Sequence, residues 1–301
     1  MLLPEKDSNV EMNADAKMQS ESKKGRPLVS ISIPTLNSQR TIGACLSAIR
    51  DQTYENIEII VVDSHSTDGT AETAKSFGAT VYFEKGLTHQ RLECIRRSRG
   101  NYMLLLDSDQ VITPNLVEKC VSELEETGVD ALILRDISTQ AISGFVANVQ
   151  SEYLKMTQAD ADALFGTALP RFFRASVLRT IGSPRRELGY FDHAWIYRRV
   201  VINGGKVGYV DAVDYHLEFN STIFLVRKFY KYYGHYFIPA LVEDWQLVLA
   251  KSIPKRSVFV SGDTEARPSR SKQLFLFSIK GVSTLGGVLD WFLETTLGSV
   301  L

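Results

Sequence analysis

Asp107-Ser108-Asp109 is the triplet with the most chemistry in it. It follows the run Tyr102-Met103-Leu104-Leu105-Leu106 and precedes Gln110-Val111-Ile112. An apolar run of that length, bounded by polar residues, reads as a buried strand. Side chains alternate along a strand, so Asp107 and Asp109 are expected on one side and Ser108 on the other. Two carboxylates at the exposed end of a buried strand repel each other. A hard divalent cation relieves that repulsion and can bridge the pair to phosphate oxygens. The plainer reading is a turn whose two aspartates cap the following helix.

Two further polar clusters have the same setting. Pro34-Thr35-Leu36-Asn37 closes one apolar run, and Asp63-Ser64-His65-Ser66-Thr67-Asp68 closes another. Each alone is compatible with ordinary turn and cap chemistry. Together with Asp107-Ser108-Asp109 they make a row of acceptors and small hydroxyls. In an open parallel sheet such a row lies beyond the carboxyl ends of the strands, where ligands bind. A nucleotide with a metal-bound diphosphate fits it.

The elements that must position this row are legible from periodicity. Short apolar runs at 28–33, 57–62, 79–83, 102–106 and 130–135 alternate with helix-like segments, the rhythm of a parallel α/β sheet. Ile42, Leu46 and Ile49 mark the first helix, with Ser38 as its expected cap. A second is expected from Asp68-Gly69 to Gly78, a third from Thr88 to Arg99, and a fourth from Thr113-Pro114. Region 138–217 is less regular. A helix is expected at 143–156, an apolar-basic stretch at 169–174 and a helix from Phe191 to Ile202, stopped by Asn203-Gly204-Gly205. Short strands are expected at 206–210 and 213–216. Residues 1–26 are polar and aperiodic and read as a disordered tail.

The chain has 301 residues and a formal net charge of −1, which argues against nucleic acid as a partner, since phosphate backbones call for a basic surface. Cys45, Cys94 and Cys120 lie far apart with no C-x-x-C pattern and read as buried thiols in a reducing compartment. No apolar segment follows the N-terminus as in a secretory signal, and no apolar run suffices to span a bilayer.

Four segments carry a family resemblance: VSISIPTLNSQRTIGACLSAI at 29–49, IEIIVVDSHSTDGT at 57–70, GNYMLLLDSDQVITP at 100–114 and FDHAWIYRRVVINGGKVGYVDAVDYH at 191–216. In this order they resemble the family 2 glycosyltransferases of the GT-A fold. The resemblance implies an inverting, metal-dependent transfer of one sugar from a nucleotide-diphosphate sugar, with a UDP-sugar favoured over a GDP-sugar. It implies that Asp63 reads the base and that Pro34, Thr35 and Asn37 lie near the nucleoside. Arg91 would face the diphosphate, and Asp107 and Ser108 would join the nucleotide site. Asp109, with Asp107 and His216, would hold Mn²⁺ or Mg²⁺. Asp192 matches the general base, although Phe191 stands where the family carries a second acid. Arg198, which matches an arginine on the following helix, is a candidate for the acceptor side, as are His193 and Arg171. The Q-x-x-R-W segment of processive synthases is absent from the sequence, so one sugar per encounter is expected.

The chemistry of such a transfer agrees with these residue types. A leaving diphosphate needs charge stabilisation, which a Lewis acid supplies. The acceptor hydroxyl must lose its proton, which a positioned carboxylate assists. Without the resemblance, Asp192 reads as a helix N-terminal acid and His216 as a strand-end histidine. Arg171 and Arg174 read equally as a solvated pair beside an aromatic patch.

After Leu217 the composition shifts. IFLVRKFYKYYGHYFIPA at 223–240 interleaves aromatic and basic residues, and 274–301 is apolar but interrupted by Lys280, Asp290 and Glu294. That pattern suits the bilayer interface, and its plainer reading is packing on the catalytic domain or against a second copy of the chain. The expected organisation is thus a tail at 1–26, a GT-A catalytic domain at 27–217 built on a mostly parallel sheet flanked by helices, and a helical, membrane-associating region at 218–301. The expected place is the cytoplasmic face of a membrane, with a glycan, lipid-linked glycan or polyprenyl phosphate as acceptor. Two rivals are a sugar-phosphate nucleotidyltransferase and a non-catalytic nucleotide-sugar-binding subunit. The first calls for a Gly-rich basic loop after the first strand, which Pro34-Thr35-Leu36-Asn37 is not.

Overall fold

The computed structural model describes residues 25–138, 169–217 and 230–252, with positions 227, 278, 281, 282, 284–286, 288 and 289 beyond them. Residues 1–24 of the expected tail at 1–26 and the expected helix at 143–156 lie outside the described residues; Arg26, the last residue of that tail, is instead tied to the domain by an ion pair with Glu118 at 2.5 Å.

Strand β1 (Val29–Thr35) is buried at every position, as a strand covered by helices on both faces must be. It pairs in parallel with β2 (Ile57–Asp63) and β4 (Tyr102–Leu105), and β2 pairs in parallel with β3 (Thr80–Phe83). Helices α1 (Ile42–Arg50), α2 (Thr70–Ser76) and α3 (Leu87–Arg97) make the crossovers. After β4 come β5 (Gln110–Ile112), α4 (Leu116–Thr127) and β6 (Ala131–Ser138), then β7 (Pro170–Arg174) and the short helix α5 (Ala175–Leu178). Helix α6 (Asp192–Ile202) and strand β8 (Val207–His216) complete one eight-stranded sheet of order β3-β2-β1-β4-β7-β6-β8-β5.

Alternation along the strands divides the core into two layers. Tyr102 and Leu104 of β4 pack with the α1 and α4 residues Ile42, Leu46, Leu116 and Cys120. Met103 and Leu105 face the other layer, with Phe173, Phe191, Trp195 and Val200. In α1 the buried set is Ile42, Cys45, Leu46 and Ile49, the spacing of one helical face. All three cysteines are buried and free.

Three details differ from the sequence reading. The stretch at 169–174 is β7, which inserts antiparallel between β4 and β6 and makes the sheet mixed. The two expected strands at 206–210 and 213–216 are one, β8. Its register against β6 jumps from Ile133↔Tyr209 to Arg135↔Val213, the irregularity that made it look divided. Ser38 does not cap α1 with its side chain; its carbonyl accepts from the N–H groups of Thr41 and Ile42 at 2.9 Å each.

Beyond β8, helices α7 (Phe237–Glu243) and α8 (Trp245–Ser252) follow a π-helical turn at Tyr230–His235. Ala240, Leu247 and Val248 are buried in the same layer as Phe173, Phe191 and Trp195. This part of the C-terminal region packs on the sheet domain. No helix among the described residues is long and apolar enough to cross a membrane.

Candidate active site

The carboxyl ends of β1 and β2 are joined by hydrogen bonds rather than ion pairs. Thr35 pairs in register with Asp63, and its hydroxyl donates to Asp63 Oδ1 at 2.9 Å. Ser66 donates its backbone N–H to Oδ2 at 2.7 Å and its hydroxyl to Oδ1 at 2.5 Å. Asp63 is fully buried. Its carboxylate therefore shapes the loop after β2. Asn37 Oδ1 accepts from the Thr67 N–H at 2.9 Å, which ties the loop after β1 to the loop after β2. Pro34 lies beyond the β1–β4 ladder and pairs with Val62. Gln90 of α3, not anticipated from sequence, donates to the carbonyls of Thr35 and Val62 at 2.8 and 2.6 Å.

The expected strand end at Asp107-Ser108-Asp109 is a turn. Strand β4 stops at Leu105 and the Gln110 N–H bonds the Asp107 carbonyl at 3.1 Å. The alternation rule lapses there, and the two carboxylates part. Asp107 lies between two guanidinium groups: Arg91 Nη2 donates to its Oδ1 at 2.7 Å and Arg171 Nη1 to its Oδ2 at 2.8 Å. Burial raises the pKa of Asp107, but these two cations outweigh it and hold the carboxyl well below the usual range. Ser108 Oγ lies 2.8 Å from Ser38 Oγ, linking the turn to the loop after β1.

Arg91 reaches further. Its Nε donates to Asp192 Oδ2 at 2.7 Å, so one buried guanidinium bridges the turn after β4 and the first residue of α6. Its Nη1 is buried without a hydrogen-bond partner. The diphosphate-facing role expected of Arg91 thus competes with two carboxylates already bonded to it. Asp192 is buried, and its Oδ1 accepts the His193 N–H at 2.5 Å. Burial pushes its carboxyl up to about 6, against the opposing pull of Arg91. The turn that delivers Asp192, Gly189–Phe191, is held from outside by Tyr236. A Cβ on Gly189 would stand 2.2 Å from that ring, and Gly189 has φ +50°. His193 Nε2 lies 3.4 Å from Arg171 Nη1, which brings together two of the three expected acceptor residues.

Asp109 faces the opposite way. Its Oδ1 is 3.9 Å from His216 Nδ1, while His216 Nε2 is 3.1 Å from Asp136 Oδ2. Asp214 completes a group whose ligand atoms, with those of Asp136 and His216, lie within 4.8 Å of one another. Pairing explains the convergence: β8 sets Asp214 against Asp136 of β6, and His216 against Gln110 of β5. Burial lowers the pKa of His216, but Asp136 and the other acids outweigh it and raise the imidazole to about 10. Burial, then Asp136, push Asp214 up to about 7. Asp214 Oδ2 accepts from Gln110 Nε2, and its buried Oδ1 has no hydrogen-bond partner. Asp136, Asp214 and Gln110 were missed in the sequence. The available signal was the Asp214–His216 spacing of two, which places both on one face of a strand.

Arg198 is not brought to this group. It lies six residues along α6 from Asp192, about 9 Å at 1.5 Å per residue. Its Nε is 3.1 Å from Asp244 Oδ2 and its Nη2 donates to Gln246 at 2.6 Å, tying α6 to the α7–α8 junction. Arg174 bonds the carbonyls of Leu124 and Val129 at the end of α4.

This arrangement places hydrogen-bonded loops, an arginine-bridged pair of carboxylates and an acid–imidazole group along one sheet edge. A solved mannosyltransferase, PcManGT from Pyrobaculum calidifontis in complex with GDP-Man and Mn²⁺, has the same fold: its TM-score is 0.60 at 16% identity, with 89% of each chain covered. The putative glycosyltransferase EpsH of Bacillus subtilis is 32% identical over 231 residues, 67% of this chain and 63% of that one. The UDP-Glc:alpha-D-GlcNAc-diphosphoundecaprenol beta-1,3-glucosyltransferase WfgD of Escherichia coli is 30% identical over 138 residues, 43% of this chain and 54% of that one. The chain thus spans less than two thirds of the length of these curated relatives. Residues 30–202 match the family described as glycosyl transferase family 2, and the chain belongs to that family.

Proposed function

We propose that the chain is an inverting, metal-dependent glycosyltransferase that moves one sugar from a nucleoside-diphosphate sugar to a hydroxyl acceptor. The observation that carries this reading is Asp192: a buried carboxylate raised to about 6 and oriented by Arg91 beside the Asp107 turn. A carboxyl near 6 is a stronger base than an ordinary aspartate and is still ionised at neutral pH. The Asp192 carboxylate accepts the acceptor hydroxyl's proton as that oxygen attacks the anomeric carbon. The bond to the diphosphate breaks on the opposite face, and configuration inverts. Arg91 and the His193 N–H hold the carboxylate in place during transfer. Arg171 and His193 border the acceptor.

The donor set fits a divalent ion. We place it at Asp109 and His216 Nδ1, with Asp136 on the far nitrogen fixing the ring, the way a second carboxylate commonly orients a ligating histidine. The Asp109 side chain is 35% exposed, open to a diphosphate, whereas Asp214 is fully buried. Asp107, expected among the ligands, already has both oxygens bonded to arginine. Bound there, Mn²⁺ or Mg²⁺ supplies Lewis-acid stabilisation of the leaving diphosphate.

The donor is a UDP- or GDP-sugar; the names of WfgD and PcManGT supply one of each. A lipid-linked glycan or polyprenyl phosphate is the acceptor class we favour, supported by the diphosphoundecaprenol acceptor in the WfgD name. Exposed Val242, Trp245, Val282, Leu285 and Leu289 support peripheral binding at the cytoplasmic face of a membrane. The test is incubation with radiolabelled UDP- and GDP-sugars, Mn²⁺ and lipid-linked acceptors. Label transfer lost in Asp192→Asn supports the reading. Pyrophosphate release, or binding without transfer, overturns it.

A further inference from the structure

Helix α3 grips the segment that leads into α6 at two points one turn apart. Arg91 holds the Asp192 carboxylate. One turn earlier, the buried Thr88 hydroxyl accepts the N–H groups of Leu188 and Gly189 at 2.8 and 3.0 Å. A threonine in a helix commonly bonds its own backbone; this one is turned to a segment 100 residues away. Glu187 reinforces the contact, its Oε1 accepting the Thr88 N–H at 2.8 Å and the Gly189 N–H at 3.1 Å. Where a side chain on Gly189 would stand, the ring of Tyr236 stands instead. Leu188 and Phe191, before and after that contact, are buried in the layer that Ala240 enters and that Tyr236 and Phe237 pack against. Glycine has the widest backbone freedom of any residue. The conformation of Gly189 is therefore set by what touches it: Thr88 and Glu187 on its N–H, Tyr236 at its Cα.

We propose that Thr88 and Tyr236 are positioning residues for the transfer: by fixing Gly189 between α3 and the C-terminal region, they set where the Asp192 carboxylate stands. This rests on the glycosyltransferase reading, and it gives part of the C-terminal region a task in the chemistry itself. Neither residue need touch a substrate. Both act through the backbone that ends at Asp192. A general base works only within hydrogen-bond reach of the proton it takes, and a misplacement of about 1 Å can cost about 10²-fold in rate.

The test uses the full chain, Mn²⁺, and the nucleotide sugar and acceptor that wild type uses, with every variant assayed well below its melting temperature. Thr88→Val removes the hydroxyl at nearly constant shape, and Tyr236→Leu removes the ring. They lie on different elements, so the turn stays testable if one of them fails to fold. In each, kcat falls about tenfold to a hundredfold, while donor KM and the calorimetric Kd for UDP or GDP stay within about twofold. Thr88→Ser and Tyr236→Phe, which keep the hydroxyl and the ring, retain kcat within about threefold of wild type. Arg198→Ala, which loosens the same C-terminal helices away from the turn, also retains it. Unchanged kcat in both Thr88→Val and Tyr236→Leu overturns the proposal. So does a nucleotide Kd weakened as much as kcat, which makes the two residues supports of the donor site. An equal loss in Arg198→Ala overturns the direct role of Tyr236 in favour of general undocking. If wild type transfers no sugar, the glycosyltransferase reading fails first, and the positioning role falls with it.

Discussion

Asp107 and Asp109 are two residues apart and belong to opposite electrostatic regions. Around Asp107 the fixed charges are arginine: Arg91 and Arg171 neutralise it, and Arg91 continues to Asp192. Around Asp109 they are acidic: Asp136 and Asp214 crowd one imidazole, raised to about 10. The first region supplies its own cations; the second has an excess of negative charge that a divalent ion can satisfy. The lesson is a division of labour. In the proposed reading the arginine side orients the base, the acid side takes the metal, and the turn after β4 joins them.

The comparison is broken most severely at the base. Asp192→Asn is nearly isosteric and cannot accept a proton, so kcat is expected to fall by about 10²–10⁴ while nucleotide affinity changes little. Steady-state kinetics with a calorimetric Kd for UDP or GDP checks this; a near-normal kcat in folded protein moves the base elsewhere.

The acid side is sharpened by Asp136→Asn. Loss of the carboxylate behind His216 is expected to weaken Mn²⁺ about 10–100-fold, as for other outer partners of ligating histidines. Equilibrium dialysis against Mn²⁺ measures it, and unchanged affinity removes Asp136 from the metal's support.

The two sides also differ in pH response. With Asp192 near 6, the base is ionised above that value and protonated below it, so kcat is expected to decline by about tenfold per unit below pH 6. His216 must lose its proton to ligate, so Mn²⁺ affinity is expected to weaken steadily as pH falls through and below neutrality. A kcat profile at saturating Mn²⁺ separates the two; a flat kcat from pH 5 to 7 contradicts the first.

The smallest effect is expected at Arg198, whose ion pair with Asp244 lies outside both regions. Arg198→Ala is expected to change stability by about 1 kcal/mol and leave kcat intact. A large loss of kcat without a fall in melting temperature returns Arg198 to the site.

The parallel half of the fold was legible because it is local. Strand runs such as Ile57–Asp63 and helix faces such as Ile42, Leu46 and Ile49 announce themselves within a few residues. The candidate site was legible from its own chemistry at Asp107-Ser108-Asp109, whereas His216 was singled out only through the family resemblance. The pairing of distant strands was not legible. Asp136 reads as one charge in an apolar strand until β8 is set beside β6. The bridge from Arg91 to Asp192 joins residues 101 positions apart in the chain, and nothing near either residue signals it. Asp107 and Asp109 were read as a pair because alternation was extended past Leu105, where the strand ends.

The division between the two regions is tested most directly by Mn²⁺ titration, followed by electron paramagnetic resonance, of wild type, Asp107→Asn and Asp109→Asn. The account predicts that Asp109→Asn weakens Mn²⁺ at least about tenfold more than Asp107→Asn, a difference of about 1.4 kcal/mol. An equal or greater loss in Asp107→Asn would contradict it and place the ion between the two aspartates.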